Sequence, residues 1–245
     1  MGGATAIGFS RHIPGAFITV TAKHQETLKR YSEAGMSATL DNAEAVRDAD
    51  VVVMAVKPWL LKDVLTPLLG LLSGKTLVSL AAGIPAESLR EWLEGTGVNG
   101  IYTVIPNLAI EIGESMTFIN EVTGTEETLK IVTGLFEAVG KAMVVEERQL
   151  WAGMMVASCG TAFALRYVRA ATEGGVELGL YPNQALEAAL QTVKGAAALS
   201  EARGTHPEQE IDRVTTPGGI TIRGLNAMEE AGFSNAVIQG LKIHR

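Results

Sequence analysis

One cysteine, Cys159, stands in 245 residues, so no intrachain disulfide and no cysteine-based metal site can form. Histidine is scarce as well: His12, His24, His206 and His244 lie far apart without ligand-type spacing, and no metal is expected. A single thiol fits a reducing compartment, and a cytoplasmic location is expected. Clusters of basic residues are missing. The 20 Lys and Arg are scattered among 27 Asp and Glu, with no run longer than the pair Lys29-Arg30, for a net charge of −7, which argues against a nucleic-acid surface. Long apolar runs are missing too. The longest uncharged stretch, 149–165, contains Gly153, Ser158, Cys159, Gly160 and Thr161 and is closed by Arg166. A membrane span needs ~20 mostly apolar residues, so a helix buried at a subunit interface is the better reading. The start, Met1-Gly2-Gly3-Ala4-Thr5, has no basic segment and no apolar run, and no secretory leader is expected. Aromatic residues make up 5%. Trp59, Trp92 and Trp151 lack any paired spacing that suggests base stacking, so core or interface packing is expected for each.

What is present is a globular, rather apolar chain with 47% hydrophobic residues. Its first part alternates short β-rich runs with helical patterns, the signature of a parallel α/β sheet. Strands are expected at 17–21, 50–56, 76–81, 100–105, 115–119 and 141–145, with a short extended piece at 37–40. Helices are expected at 5–11, 25–34 (ended by Gly35), 42–47 (capped by Asp41 or Asn42), 59–72 (interrupted by Pro67), 85–94 and 126–139. Asp50-Val51-Val52-Val53-Met54-Ala55-Val56 is apolar almost throughout, as a strand covered on both faces should be. After Glu146 the β-alternation stops. Small and apolar residues then recur at helical spacing over 149–168, 182–202 and 220–241. The expected organisation is therefore residues 1–146 as a doubly wound, Rossmann-like α/β domain and 147–245 as an all-helical domain.

A doubly wound nucleotide-binding domain opens with a strand, a Gly-rich turn and a helix whose N-terminus meets a pyrophosphate. Here Met1-Gly2-Gly3-Ala4 runs directly into a helical pattern, like the tail of such a turn with the strand and earlier glycines absent. Val56-Lys57-Pro58 and Ala81-Ala82 end strands at the carboxyl edge, where ligands bind in these folds. Lys57 is suited to a phosphate or ribose, or to an exposed loop. Asn107 is suited to a carboxamide or to its own loop backbone. After the first visible strand the chain reads Thr21-Ala22-Lys23-His24, with no carboxylate until Glu26. Two potential cations where NAD enzymes place an acid favour a 2′-phosphate, although a solvent-exposed loop would read the same way.

The most specific run lies near the C-terminus. Val214-Thr215-Thr216-Pro217-Gly218-Gly219-Ile220-Thr221-Ile222-Arg223-Gly224-Leu225 closely resembles the signature of the pyrroline-5-carboxylate reductases, a Ser/Thr-Pro-Gly-Gly-x-Thr turn entering a helix. Glu229 to Phe233 with Ala236 to Ile238, Gly175 to Leu180, Gln191 to Ala197, Ala55-Val56-Lys57-Pro58, Ala81 to Ile84 and Pro106-Asn107 match in the same order. The resemblance covers essentially the whole chain. It departs at Leu108-Ala109, where the family has Thr-Pro, at Ala157 to Phe163, where the family's Pro and Tyr are replaced, and mildly at Ile220.

The resemblance implies hydride transfer from a reduced nicotinamide to the C=N carbon of 1-pyrroline-5-carboxylate, giving proline. The cofactor implied is NADPH, with NADH as an alternative. Thr216 hydroxyl and the N–H groups of Gly219 and Ile220, with Gly218 allowing the turn, would hold the substrate carboxylate. Thr221 hydroxyl would bond the ring nitrogen and relay its proton. Met1 and Gly2, then Ala22, Lys23, His24, Val56, Lys57, Pro58, Ala81, Ala82 and Asn107 would line the cofactor. The helical domain would form an intertwined homodimer in which the Pro-Gly-Gly turn of one subunit completes the site near the cofactor of the other. Larger rings of dimers also occur in the family. A plain capped helix start would produce the same turn. Two rivals remain. One is a 3-hydroxy acid dehydrogenase using Lys194, the only lysine between Lys141 and Lys242. The other is a dimeric fragment that lacks its first strand and binds no dinucleotide.

Overall fold

The computed structural model describes residues 1–243; His244 and the last residue of the expected 147–245 domain lie outside the described residues. It divides into two compact units, Met1–Ser158 and a second from Cys159 onward. The first contains α1 (Gly2–His12), β1 (Thr19–Thr21), α2 (Gln25–Glu33), β2 (Ser37–Thr39), α3 (Asn42–Arg47) and β3 (Val51–Met54). Next come α4 (Leu61–Leu65), β4 (Thr76–Ser79), α5 (Ala86–Leu93), β5 (Gly100–Ile105), β6 (Ser115–Thr123), α6 (Glu126–Glu137), β7 (Gly140–Val144) and α7 (Glu147–Gly153). The expected helix over 59–72 is only α4, between 3-10 turns at Pro58–Leu60 and Thr66–Leu71. Pro67 sits in the second of these, where its missing N–H and fixed φ interrupt an α-helical ladder.

The main sheet has the order β3-β4-β5-β6-β7, and β1 pairs only with β2 in a separate two-stranded piece. All pairs are parallel except β5 with β6. That exception has a local cause. The β5–β6 connection holds only a 3-10 turn, Leu108–Ile112, too short for the crossover helix that a parallel pair needs. Helices cover both faces, as the unbroken apolar strands require. In β4 the side chains alternate: Leu77 enters a core with Leu61, Leu65, Leu72, Leu89 and Leu93. Its neighbour Val78 enters the opposite core with Phe9, Tyr102, Ile110, Val132 and Phe136.

The last residues of the first unit, which runs to Ser158, pack on its α/β core. Glu147 Oε1 accepts the N–H of Ala86 at 2.7 Å, supplying the cap that α5 lacks from its own sequence. Gly153 lies against the Phe118 ring, where an added Cβ would come within 2.6 Å. A π-helical turn, Met154–Cys159, follows, so the helix expected over 149–168 is present with one wider turn within it.

The second unit is helical: α8 (Gly160–Glu177), α9 (Pro182–Arg203), α10 (Pro207–Val214), α11 (Ile220–Glu230) and α12 (Phe233–Lys242). α8 and α9 pack closely where Gly175 meets Ala185. α12 lies on α8, with the Tyr167 and Phe233 rings edge to face at 6.3 Å. The helix expected over 220–241 is broken in two, because Gly232 takes φ +84° and restarts the chain as α12. Neither α11 nor α12 has a buried residue, and Ile220 is 82% exposed. No helix among the described residues is long and apolar enough to cross a membrane.

Two glycines test this packing in opposite senses. An added Cβ at Gly8 would come within 2.2 Å of the Ile110 carbonyl oxygen, whereas at Gly134, in α6, it would meet nothing within 4 Å. Gly8→Ala is expected to destabilise the fold by about 1–3 kcal/mol through overpacking. Gly134→Ala is expected to stabilise it by roughly 0.5–1 kcal/mol. Denaturant unfolding of the two variants checks the pair, and equal effects would contradict the described seat of α1.

Candidate functional site

In the first unit, β3, β4 and β5 run parallel, so the residues that follow them share the carboxyl edge of the sheet. Val56, Lys57 and Pro58 follow β3, Ala81 and Ala82 follow β4, and Asn107 follows β5. The N-terminus of α1 belongs to the same edge. Gly2 lies so close to Ala55, the residue after β3, that an added Cβ would come within 2.6 Å of the alanine Cβ. The first ladder bond of α1 runs from Thr5 N–H to the Met1 carbonyl at 3.0 Å. The amides of Gly2, Gly3 and Ala4 therefore precede the ladder, with no side-chain cap and no acid in the first turn. Such an end attracts an anion by its aligned N–H groups and its positive dipole end.

On its other side α1 meets α2. A Cβ at Gly3 would come within 2.2 Å of the Tyr31 hydroxyl and 2.7 Å of an Arg30 guanidinium nitrogen. Arg30 donates to the Tyr31 hydroxyl and lies 4.6 Å from the centre of its ring. A cation beside the positive end of a helix is unfavourable unless an anion joins them. Sequence reasoning missed Arg30, because it lies seven residues beyond Lys23 on the next helix. His24 and Arg30 line one shallow groove with Glu26 and Thr27, and Lys23 and His24 are exposed at its strand end. These residues fit the phosphates of a dinucleotide.

Three further side chains bear on the sequence reading. Asn107 is buried, and its amide is engaged within the protein: Oδ1 accepts from Ala109 N–H at 3.0 Å and Nδ2 donates to the Ala157 carbonyl at 3.4 Å. This is the loop-backbone role, and Ser158 Oγ supports it by donating to the Pro106 carbonyl at 2.9 Å. Trp59 is 74% exposed, which leaves interface rather than core packing of the two expected for it, and Lys57 Nζ lies 5.8 Å from its ring centre. Lys194 is exposed on α9.

In the second unit the sequence signature forms a tight turn. Thr215 N–H and Oγ1 both bond the Asp212 carbonyl, at 3.3 and 3.0 Å, and end α10. Gly218 takes φ +70°, a conformation that L side chains adopt only at a cost. Gly219 N–H then donates to the Thr216 carbonyl at 2.9 Å. That amide is thus engaged by the turn and is no longer a donor for a ligand. Thr216 Oγ1 lies over Gly219, where a Cβ would come within 2.5 Å of it. α11 begins at Ile220 with no side-chain cap and no acid in its first turn. The turn therefore gathers the Thr216 hydroxyl, the amides of Ile220 and Thr221, and the exposed Thr221 hydroxyl at one positive helix end.

Upstream of the turn, Glu210 is the only buried charged side chain among the described residues. It accepts from Thr205 Oγ1 at 2.6 Å, from Arg203 at 2.6 Å and from Arg213 at 3.4 Å. The Thr205 hydroxyl, foremost, and the two guanidinium groups hold its carboxyl below the usual carboxylate range, against a smaller opposing effect of burial.

Residues 147–243 match the family profile described as pyrroline-5-carboxylate reductase dimerisation. Residues 1–83 match the profile of the coenzyme F420-dependent NADP oxidoreductases. The chain is 34% identical to a pyrroline-5-carboxylate reductase of Pisum sativum, over 100% of this chain and 92% of that one. It is also 34% identical to pyrroline-5-carboxylate reductase 1 of Dictyostelium discoideum, over 98% of this chain but 46% of that one, so it spans about half of that relative. Among solved structures, pyrroline carboxylate reductase of Plasmodium falciparum with NADP bound gives a TM-score of 0.85 at 26% identity, over 99% of this chain and 90% of that one.

A carboxyl whose pKa is lowered by folding stabilises the fold above its unfolded value, and that contribution is lost as pH falls through the folded value. The Glu210 contribution should be complete above about pH 4.3, the ordinary glutamate value, and fade below it. In acid titrations of thermal stability, the wild type should lose stability in that window more steeply than Glu210→Gln. Parallel curves would contradict the described network.

Proposed function

The chain belongs to the pyrroline-5-carboxylate reductase family, and from that premise we infer that it reduces 1-pyrroline-5-carboxylate to L-proline with NAD(P)H, the last step of proline biosynthesis. It acts as a homodimer through its helical unit, and the lack of any fully buried residue in α11 and α12 is consistent with that. Rings of dimers would be a further level of assembly, for which these helices give no separate argument. The single thiol fits a cytoplasmic setting.

The observation that carries the reading is the turn at Thr216–Ile220. The substrate carries a carboxylate next to its imine ring, and the turn offers that carboxylate a hydroxyl and an uncapped helix end. Because Gly219 N–H closes the turn, we assign the carboxylate to Thr216 Oγ1 and to the amides of Ile220 and Thr221. The Thr221 hydroxyl then faces the ring nitrogen, accepting a bond from its protonated form or delivering a proton as the C=N bond is reduced. A reduced nicotinamide held by the strand-edge residues would supply the hydride. The chain's own residues orient and exclude. Gly2, with the amides that open α1, would take the pyrophosphate, and the small side chains of Ala81 and Ala82 would leave room beside it. Lys23, His24 and the neighbouring Arg30 would favour a 2′-phosphate, hence NADPH. In the homodimer, the turn of one protomer is proposed to complete the site at the cofactor of its partner.

The test is turnover. The purified chain with NADPH and pyrroline-5-carboxylate should lose reduced-nicotinamide absorbance and form proline. Thr221→Ala should lower kcat by roughly 10–100-fold, the scale of losing one positioned proton-transfer group. Lys194→Met should leave the rate nearly intact. Loss of activity in Lys194→Met with none in Thr221→Ala would favour a 3-hydroxy acid dehydrogenase instead. Failure of the chain to bind NADPH at all would favour a non-catalytic dimer.

A further inference from the structure

We propose that Glu210 is a positioning residue for the reductase, anchoring α10 so that the Thr216–Ile220 turn is held ready for the substrate carboxylate. This rests on the reading of that turn as the carboxylate site. The argument begins with what holds α10. The helix has eight residues, Pro207–Val214, and Glu210 alone among them is buried. On the far side of the turn, α11 and α12 have no buried residue at all. Neither flank of the turn contributes a fully buried apolar side chain, and the one buried side chain upstream of it is the Glu210 carboxylate.

That carboxylate reaches across a chain reversal. α9 ends at Gly204 with φ +61°, and Ser200 Oγ donates to the Thr205 carbonyl at 2.8 Å. Glu210 Oε2 takes the Arg203 guanidinium from the last turn of α9, and Oε1 takes the Thr205 hydroxyl, both at 2.6 Å. Oε1 also meets Arg213 from its own helix at 3.4 Å. α9 is the long partner of α8 in the closely packed pair of this unit, so the carboxylate transmits that rigidity to α10. From Arg213 the path to the turn is short: Val214, then Thr215, whose N–H and hydroxyl bind the Asp212 carbonyl. A buried charge is costly when a partner is removed, whereas Arg203 and Arg213 are each about half exposed and can turn to water. Losing the charge of Glu210 therefore frees the helix more than it harms the arginines.

The test compares wild type, Glu210→Gln, Glu210→Asp and Arg203→Gln in the full chain. Glu210→Gln should raise KM for pyrroline-5-carboxylate about tenfold, the scale of a small misplacement of a binding group. KM for NADPH should stay at its wild-type value. Glu210→Asp, which keeps the charge, should fall between. Hydrogen–deuterium exchange at 214–222 should quicken in Glu210→Gln while α8 and α9 keep their protection. If Glu210→Gln does not fold, Arg203→Gln, altered at a half-exposed site, must show the same selective rise. An unchanged imine KM, or a proportional loss in both substrates, overturns the proposal. Absence of imine reduction in the wild type overturns the functional reading itself, which separates the two failures.

Discussion

At Gly218 the backbone takes φ +70°, and the hydrogen bond from Gly219 N–H to the Thr216 carbonyl closes behind it. This reversal is the constraint on which the functional account depends. It starts α11 abruptly, with amides that have no side-chain cap, and it folds the Thr216 hydroxyl over the same spot. A side chain at Gly219 would displace that hydroxyl, and one at Gly218 would strain the backbone. A helix end of this kind binds a small carboxylate without a single ionisable side chain. That suits a reaction whose reducing power comes from a cofactor and whose protein needs only to place the imine.

The α/β unit presents a comparable helix end in a different setting. α1 also begins on bare amides, pressed against Ala55 at the end of β3 and bounded by Arg30 and Tyr31 of α2. Its seat depends on Gly2 and Gly8, where the backbone of α1 approaches Ala55 and the Ile110 carbonyl too closely for a side chain. Beside this seat the sheet is in two pieces, with β1 and β2 paired to one another and β3 paired only to β4. The packing of Ile18, Val51 and Val53 against one core keeps the pieces together without a ladder between them.

How much of this was legible in the sequence depends on what each segment buries. β3 could be read because both its faces meet helices, leaving an unbroken Val51-Val52-Val53-Met54 run. The Gly218 turn could be read because its residue types follow from its backbone angles and from a family signature. α10 could not: its eight residues hold only Ile211 and Val214 as aliphatic side chains, too short a run for a helical period to stand out. The break at Gly232 was hidden for the opposite reason, since α11 and α12 carry continuous helical periodicity on faces left exposed in the chain. Arg30 was missed because its relevance comes from α2 crossing the start of α1, a tertiary fact. Asn107 looked like a ligand contact or a loop staple from its type alone, and only its neighbours place its amide on Ala109 and Ala157.

The central claim is that the turn recognises the substrate through its carboxylate. It is tested most directly by comparing pyrroline-5-carboxylate with 1-pyrroline, the same ring without the acid, in wild type and in Thr216→Val. The account predicts that wild type strongly prefers the acid in kcat/KM, and that Thr216→Val loses much of that preference while its activity on 1-pyrroline is unchanged. An undiminished preference in Thr216→Val, or a wild type indifferent to the carboxylate, would contradict it.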